Sequence, residues 1–169
     1  MVDDTLRWKP VRRTLDIRAF GTNAYVADAG QLVVEEHDEL SGTGPGGHEE
    51  LYLVVRGHAR FTIDGEDLDA PAGTLVFLPE PEAVRVATAL EDGTLIMAFG
   101  GQRGVPYEVS AWEPRFLVCG LARAGRLDEA LAELRRAYEA DPERVATWAR
   151  DAEDLAPLRA MEGYPPFSG

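Results

Sequence analysis

Residues 42–79 read GTGPGGHEELYLVVRGHARFTIDGEDLDAPAGTLVFLP, and this stretch decides the fold. A glycine-rich loop at 42–47 opens onto the run EELYLVV, and Gly57 separates that run from ARFTI. Asp64-Gly65 is a two-residue hairpin signal, and Pro71-Ala72-Gly73 makes a tight corner before TLVFL. Outside it the pattern continues: LDIRAF, AYVAD and QLVVEE come before, AVRVATA and TLIMAF after, with Asp28-Ala29-Gly30 and Asp92-Gly93 as turns. Short β-branched and aromatic runs at this spacing predict a β-sandwich or barrel up to Phe99, with no helix interrupting it.

Beyond Gly100-Gly101 the alphabet becomes Ala, Leu, Arg and Glu. Leu127, Ala130, Leu131, Leu134, Ala137 and Tyr138 fall on one helical stripe. A shorter helix precedes it and ends at Gly125, so the spacing predicts a helical hairpin over 114–140. Asp141 and Pro142 suit the N-cap and first position of a further helix over 142–150, whose apolar side is Val145, Trp148 and Ala149. The expected division is a β domain over 1–101, with an N-terminal strand arm, and a helical tail over 102–169.

The chain has 169 residues and a net charge of −13, with 18 acids against 8 bases in its first hundred residues. Such a field repels phosphate backbones and anionic lipid, which argues against nucleic acid and membrane surfaces as partners. Apolar runs such as LYLVV are far shorter than the ~20 residues of a membrane span. Cys119 is the single cysteine, so no internal disulfide forms, and no export is expected from the acidic opening residues. A cytoplasmic location is the expectation.

The quoted stretch resembles the cupin superfamily. Glu50 and Gly57 keep the second half of the first cupin motif, and Gly65, Pro71 and Gly73 keep the spacing of the second. The resemblance implies a mainly β fold, a double-stranded β-helix or jelly-roll barrel, with the α-helical segment as a C-terminal extension. It also implies a metal held by three His and one Glu, but the usual His positions fall near Gly44, Gly46 and Val84 or Arg85. Only Glu50 remains of the usual set, and His48 shares its side-chain parity. No metal cofactor is expected. If a divalent metal does bind, His48 and Glu50 would be its ligands, with His37 as a further donor. Otherwise His37 and His58 read as surface residues near turns.

Taking alternate residues as inward, Tyr52, Phe77, Val84 and Met97 are expected to line a pocket in which His48, Glu50, Tyr52 and Arg85 orient a small ligand. Segment 114–142 resembles one tetratricopeptide (TPR) repeat, with Ala130 where two helices cross and Pro142 after the second. The combination resembles bacterial cupin-fold proteins, for which pairing into a homodimer is expected. Three functions follow from these readings. The leading one is a small-molecule-binding or regulatory barrel. The others are a metal-dependent isomerase, epimerase or dioxygenase using His48 and Glu50, and a protein-interaction module built on the helical tail.

Overall fold

The computed structural model describes residues 6–40, 46–109 and 112–167. The chain forms two compact units, Met1–Ser110 and Ala111–Gly169.

The first unit is mainly β. Its strands are β1 (Trp8–Lys9), β2 (Gly21–Ala27), β3 (Leu32–His37), β4 (His48–Arg56), β5 (His58–Ile63), β6 (Glu66–Pro71), β7 (Leu75–Leu78), β8 (Arg85–Ala89) and β9 (Thr94–Gln102). They make two sheets, ordered β1-β2-β9-β4-β7 and β3-β8-β5-β6, and every pairing is antiparallel. The buried core draws on both. Tyr52, Val54, Val76 and Ile96 from one sheet meet Val34, Phe61, Ala87 and Ala89 from the other. The Tyr52 and Phe61 rings lie 5.4 Å apart across that core.

The turns form where the sequence places them. Asp64 and Gly65 both have positive φ and join β5 to β6 with Ile63 opposite Glu66, the geometry a two-residue hairpin requires. Thr74 N–H donates to the Pro71 carbonyl at 3.0 Å, closing the corner around Gly73. LDIRAF departs from expectation. It forms no strand, and a short helix α1 (Val11–Leu15) stands before β2. Asp16 ends that helix in the left-handed region, and the Ile17 N–H returns to the Arg12 carbonyl. That local turn takes up backbone groups a strand would have offered to a neighbour.

The second unit is helical: α2 (Glu113–Arg123), α3 (Leu127–Ala140), α4 (Pro142–Ala149) and a 3₁₀ helix over Glu153–Ala160. α2 packs on α3 as the expected hairpin, with Gly125 at φ 74° in the turn. Asp141 caps α4, its carboxylate accepting from the Arg144 N–H at 3.0 Å. Leu117, Val118, Leu121, Leu134, Trp148 and Leu158 are buried. No helix among the described residues is long and apolar enough to cross a membrane.

Gly57 shows why the β4–β5 junction needs its residue. Its φ is 77°, and a Cβ there would lie 2.5 Å from Thr94 Oγ1. Gly57→Ala is expected to destabilise the protein by about 1–3 kcal/mol in urea unfolding. Gly101→Ala, where an added Cβ meets nothing within 4 Å, should change it by less than about 0.5 kcal/mol.

Candidate functional site

Pairing of β4 with its two neighbours settles which side chains face the core. Residues opposite one another across an antiparallel ladder share a face. Tyr52 stands opposite Val76 and Ala98, and all three are buried. Glu50, two residues earlier, is on the same inner face, near one end of the strand. Leu51 stands opposite Phe77 and Phe99, and Leu53 opposite Met97, so these belong to the outer face.

Two expected pocket residues, Phe77 and Met97, therefore point away from the core, and Phe77 is 55% exposed. Val84 is also exposed, because the next residue, Arg85, takes the inward position on β8. The parity assumed for these three was off by one. Tyr52, Glu50 and Arg85 do converge.

Arg85 is fully buried. Its Nη1 donates to the His37 carbonyl at 3.3 Å, and Nη2 lies 3.2 Å from Glu50 Oε2. Arg85 is the register partner of His37 on β3, so β8 and β3 deliver both to one place. Tyr52 donates its hydroxyl to Glu50 Oε2 at 2.5 Å. His37 Nε2 stands 3.7 Å from both Glu50 Oε2 and Glu39 Oε1. His48 Nδ1 lies 3.4 Å from Glu39 Oε2, so His48 joins the same group of residues.

Hydrogen bonding fixes some proton positions. His37 Nδ1 lies 2.7 Å from the Glu35 carbonyl, which only accepts, so Nδ1 carries a hydrogen. Burial works against charging this imidazole, but Glu50 and the Glu35 carbonyl outweigh it, and its pKa is raised. Burial likewise pushes Glu50 up, yet His37, Tyr52 and Arg85 together bring it below its ordinary value. Glu39 also feels His37 and Arg85, which lower it, but their pull is the weaker effect. Burial and the neighbouring Glu50 charge raise it to about 7. Burial lowers His48. The shifts thus run toward protonation at His37 and Glu39 and toward ionisation at Glu50.

Polar atoms in this interior remain without hydrogen-bond partners among the described residues. They include Nε and Nη2 of Arg85, whose contact with Glu50 lacks hydrogen-bond alignment, and Oδ1 of Asn23. Asn23 lies on the Tyr52 face of the five-stranded sheet, opposite Ala98. Tyr25 joins the same face, its hydroxyl pKa raised by burial and then by Glu50, Glu39 and Glu35. His37, Glu39 and Glu50 also form a possible cation site, their ligand atoms all within 4.8 Å of one another.

Sequence reasoning missed Glu39, Asn23 and Tyr25, and gave His37 only as a further donor beside His48 and Glu50. Alternation on β2 carried a signal for Asn23 and Tyr25. Glu39 lies beyond the end of β3, where no period applies. Gly46 has φ 68°, and Gly44 lies outside the described residues. His58 pairs with Asp69 at 2.7 Å, apart from the cluster.

No family model matches the chain, and no curated protein matches it. Three solved structures to which it is similar are cupins. One, from Bacteroides fragilis, is 21% identical with a TM-score of 0.48, covering 59% of this chain and 79% of that one. An RmlC-like cupin from Shewanella frigidimarina is 23% identical with a TM-score of 0.41, covering 52% and 70%. Another from Desulfovibrio desulfuricans is 22% identical with a TM-score of 0.40, covering 50% and 73%. The antiparallel two-sheet architecture itself rests on the strand order and register described above.

Glu39 gives the site a measurable pH signature. Its folded pKa of about 7 lies above its ordinary 4.5, so the folded state holds a proton that the unfolded chain releases. This contribution is complete below about pH 4.5 and is lost as pH rises through 7. Glu39→Gln should remove it: urea unfolding at pH 5 and pH 8 is expected to show a smaller loss of stability with rising pH in the variant than in the parent.

Proposed function

We propose that the β unit is a cupin-like barrel that binds a small molecule carrying an anionic group, most simply a carboxylate, at Arg85. The observation that supports this most directly is the pair of unmet donors, Nε and Nη2, on a guanidinium with no solvent exposure. Leaving such donors unpaired is costly, and a carboxylate matches their fork in two parallel bonds. Charge favours the same ligand. Below about pH 7, where Glu39 is neutral, protonation of His37 sets two cations against the single carboxylate of Glu50. Tyr52 and Asn23 supply the polar groups that would orient the rest of the molecule. A binding or regulatory role follows, with reading-out of the ligand rather than its conversion as the simplest use of the site.

A divalent cation is the second reading, favoured by the convergence of His37, Glu39 and Glu50. Imidazole and carboxylate suit zinc, nickel, manganese or iron. It requires His37 neutral and Glu39 ionised, and Arg85 beside Glu50 opposes it. Metal-dependent chemistry of the isomerase, epimerase or dioxygenase kind belongs to this reading.

The helical unit is read as a TPR-like hairpin that serves packing. Phe116 is the one large apolar side chain more than about a third exposed among its described residues. A peptide-binding groove needs more apolar surface than that.

Nuclear magnetic resonance of the arginine Nε–H groups separates the readings. Small carboxylates, from acetate to hydroxy acids and sugar acids, should move the Arg85 signal saturably, and Arg85→Lys should weaken binding at least tenfold. If no carboxylate moves that signal, the proposal is wrong. Stoichiometric metal in untagged protein, lost in His37→Ala, would establish the cation reading instead.

A further inference from the structure

Two inward positions beside Glu50 carry no side chain. Glu50 stands opposite Gly100 on β9, and Gly100 opposite Gly21 on β2, so this row of the inner face is bare backbone across two strands. The neighbouring inward row is filled, by Asn23, Ala98 and Tyr52. Neither Gly21 nor Gly100 has a positive φ, so the strand conformation does not call for glycine at either place. Glycine inside a strand then marks the close approach of another group.

That group is the ring of Tyr107. A Cβ added at Gly21 would lie 3.1 Å from Tyr107 Cε2 and 3.2 Å from its hydroxyl oxygen, so the phenol rests directly on β2. A Cβ at Gly100 would lie 3.6 Å from both His48 Nδ1 and Glu50 Cγ. The His48 and Tyr107 rings are 6.4 Å apart, centroid to centroid. The phenol therefore shares one hollow with the polar cluster. It arrives from the segment after β9, where the chain turns at Gly104 with φ 75°. From Arg103 to Val109, Tyr107 is the one residue that is not exposed. Around the cluster, the side chains of Glu50, Glu39 and His48 are 12%, 15% and 15% exposed, against 36% for His37. The opening thus lies toward His37 on β3, with Tyr107 closing the side toward β2.

We propose that Tyr107 sets the size of the acid that Arg85 receives: its ring fills the hollow over Gly21 and Gly100, so that short unbranched carboxylates enter and acids carrying a ring do not. This rests on the carboxylate reading above and narrows it. The phenol occupies the volume that the ring of a phenylacetate would need, so the two exclude one another. Removing it leaves a hole on the order of 150 Å³, enough to take up a benzene ring. Selection is then by shape, because the groups that meet the carboxylate are the same for every acid.

Titration of the full chain with acetate and with phenylacetate, followed at the Arg85 Nε–H by nuclear magnetic resonance, tests this. In the parent, phenylacetate should bind at least ~30-fold more weakly than acetate. Tyr107→Ala should tighten phenylacetate at least ~tenfold and keep acetate within about threefold. Tyr107→Leu, which retains an apolar side chain should the alanine variant unfold, should tighten it at least ~threefold. Tyr107→Phe keeps the ring and should select as the parent does. A merely structural role would weaken both acids together. If acetate binds but the parent takes phenylacetate equally well, or loss of the ring leaves the selectivity unchanged, the size limit is overturned while the carboxylate site stands. If neither acid moves the Arg85 signal in any of these proteins, the carboxylate site fails and the size limit with it.

Discussion

Antiparallel pairing of β4 with β7 on one side and β9 on the other imposes an alternation from which most of this molecule's surface chemistry follows. Glu50, Tyr52 and Val54 turn into the space between the sheets, while Leu51 and Leu53 turn out. One strand therefore contributes both the carboxylate of an interior cluster and the centre of an exterior apolar face. A slip of one residue would exchange the two sets, burying leucines where Arg85 needs a partner and presenting Glu50 to solvent. The ladder to Gly100 and Leu78, which stand opposite Glu50, prevents that slip.

The interior cluster is held by a charge that has no exit to solvent. Arg85 is buried completely, and it is tolerable only because Glu50 and the His37 carbonyl face it. A buried guanidinium without a carboxylate would cost several kcal/mol, on the order of 3–5. Glu50, held below its ordinary pKa by His37, Tyr52 and that cation, acts on its neighbours: His37 gains affinity for a proton, and Glu39, raised first by burial and then by the Glu50 charge, is pushed to about 7. The groups titrate as a set. An anionic ligand and a divalent cation would draw on opposite protonation states of the same residues.

Much of the framework was legible in the chain itself. Asp64-Gly65, Pro71-Ala72-Gly73 and Gly57 mark strand ends because their backbone needs are local, and the stripe from Leu127 to Tyr138 states a helix by its period alone. LDIRAF was the exception. Its β-branched and apolar residues suited a strand, but the turn at Asp16 closed on Arg12 before any neighbour could pair with it. Propensity had no knowledge of that partner.

The site was legible only in part. Alternation along β4 correctly placed Glu50 and Tyr52, since both lie on one unbroken strand. It failed for Phe77, Val84 and Met97, because parity has to be counted from a known inward residue and each of these lies on a different strand. The sequence determined the turns, the helices and the acidity, all properties of residues near one another along the chain. Only the tertiary structure decided that Arg85 pairs with Glu50, that His37 and Glu39 join them, and that Leu51, Leu53, Phe77, Met97 and Phe99 share an outer face. Those outcomes depend on register between strands distant in sequence, and register is set by the packed core as a whole.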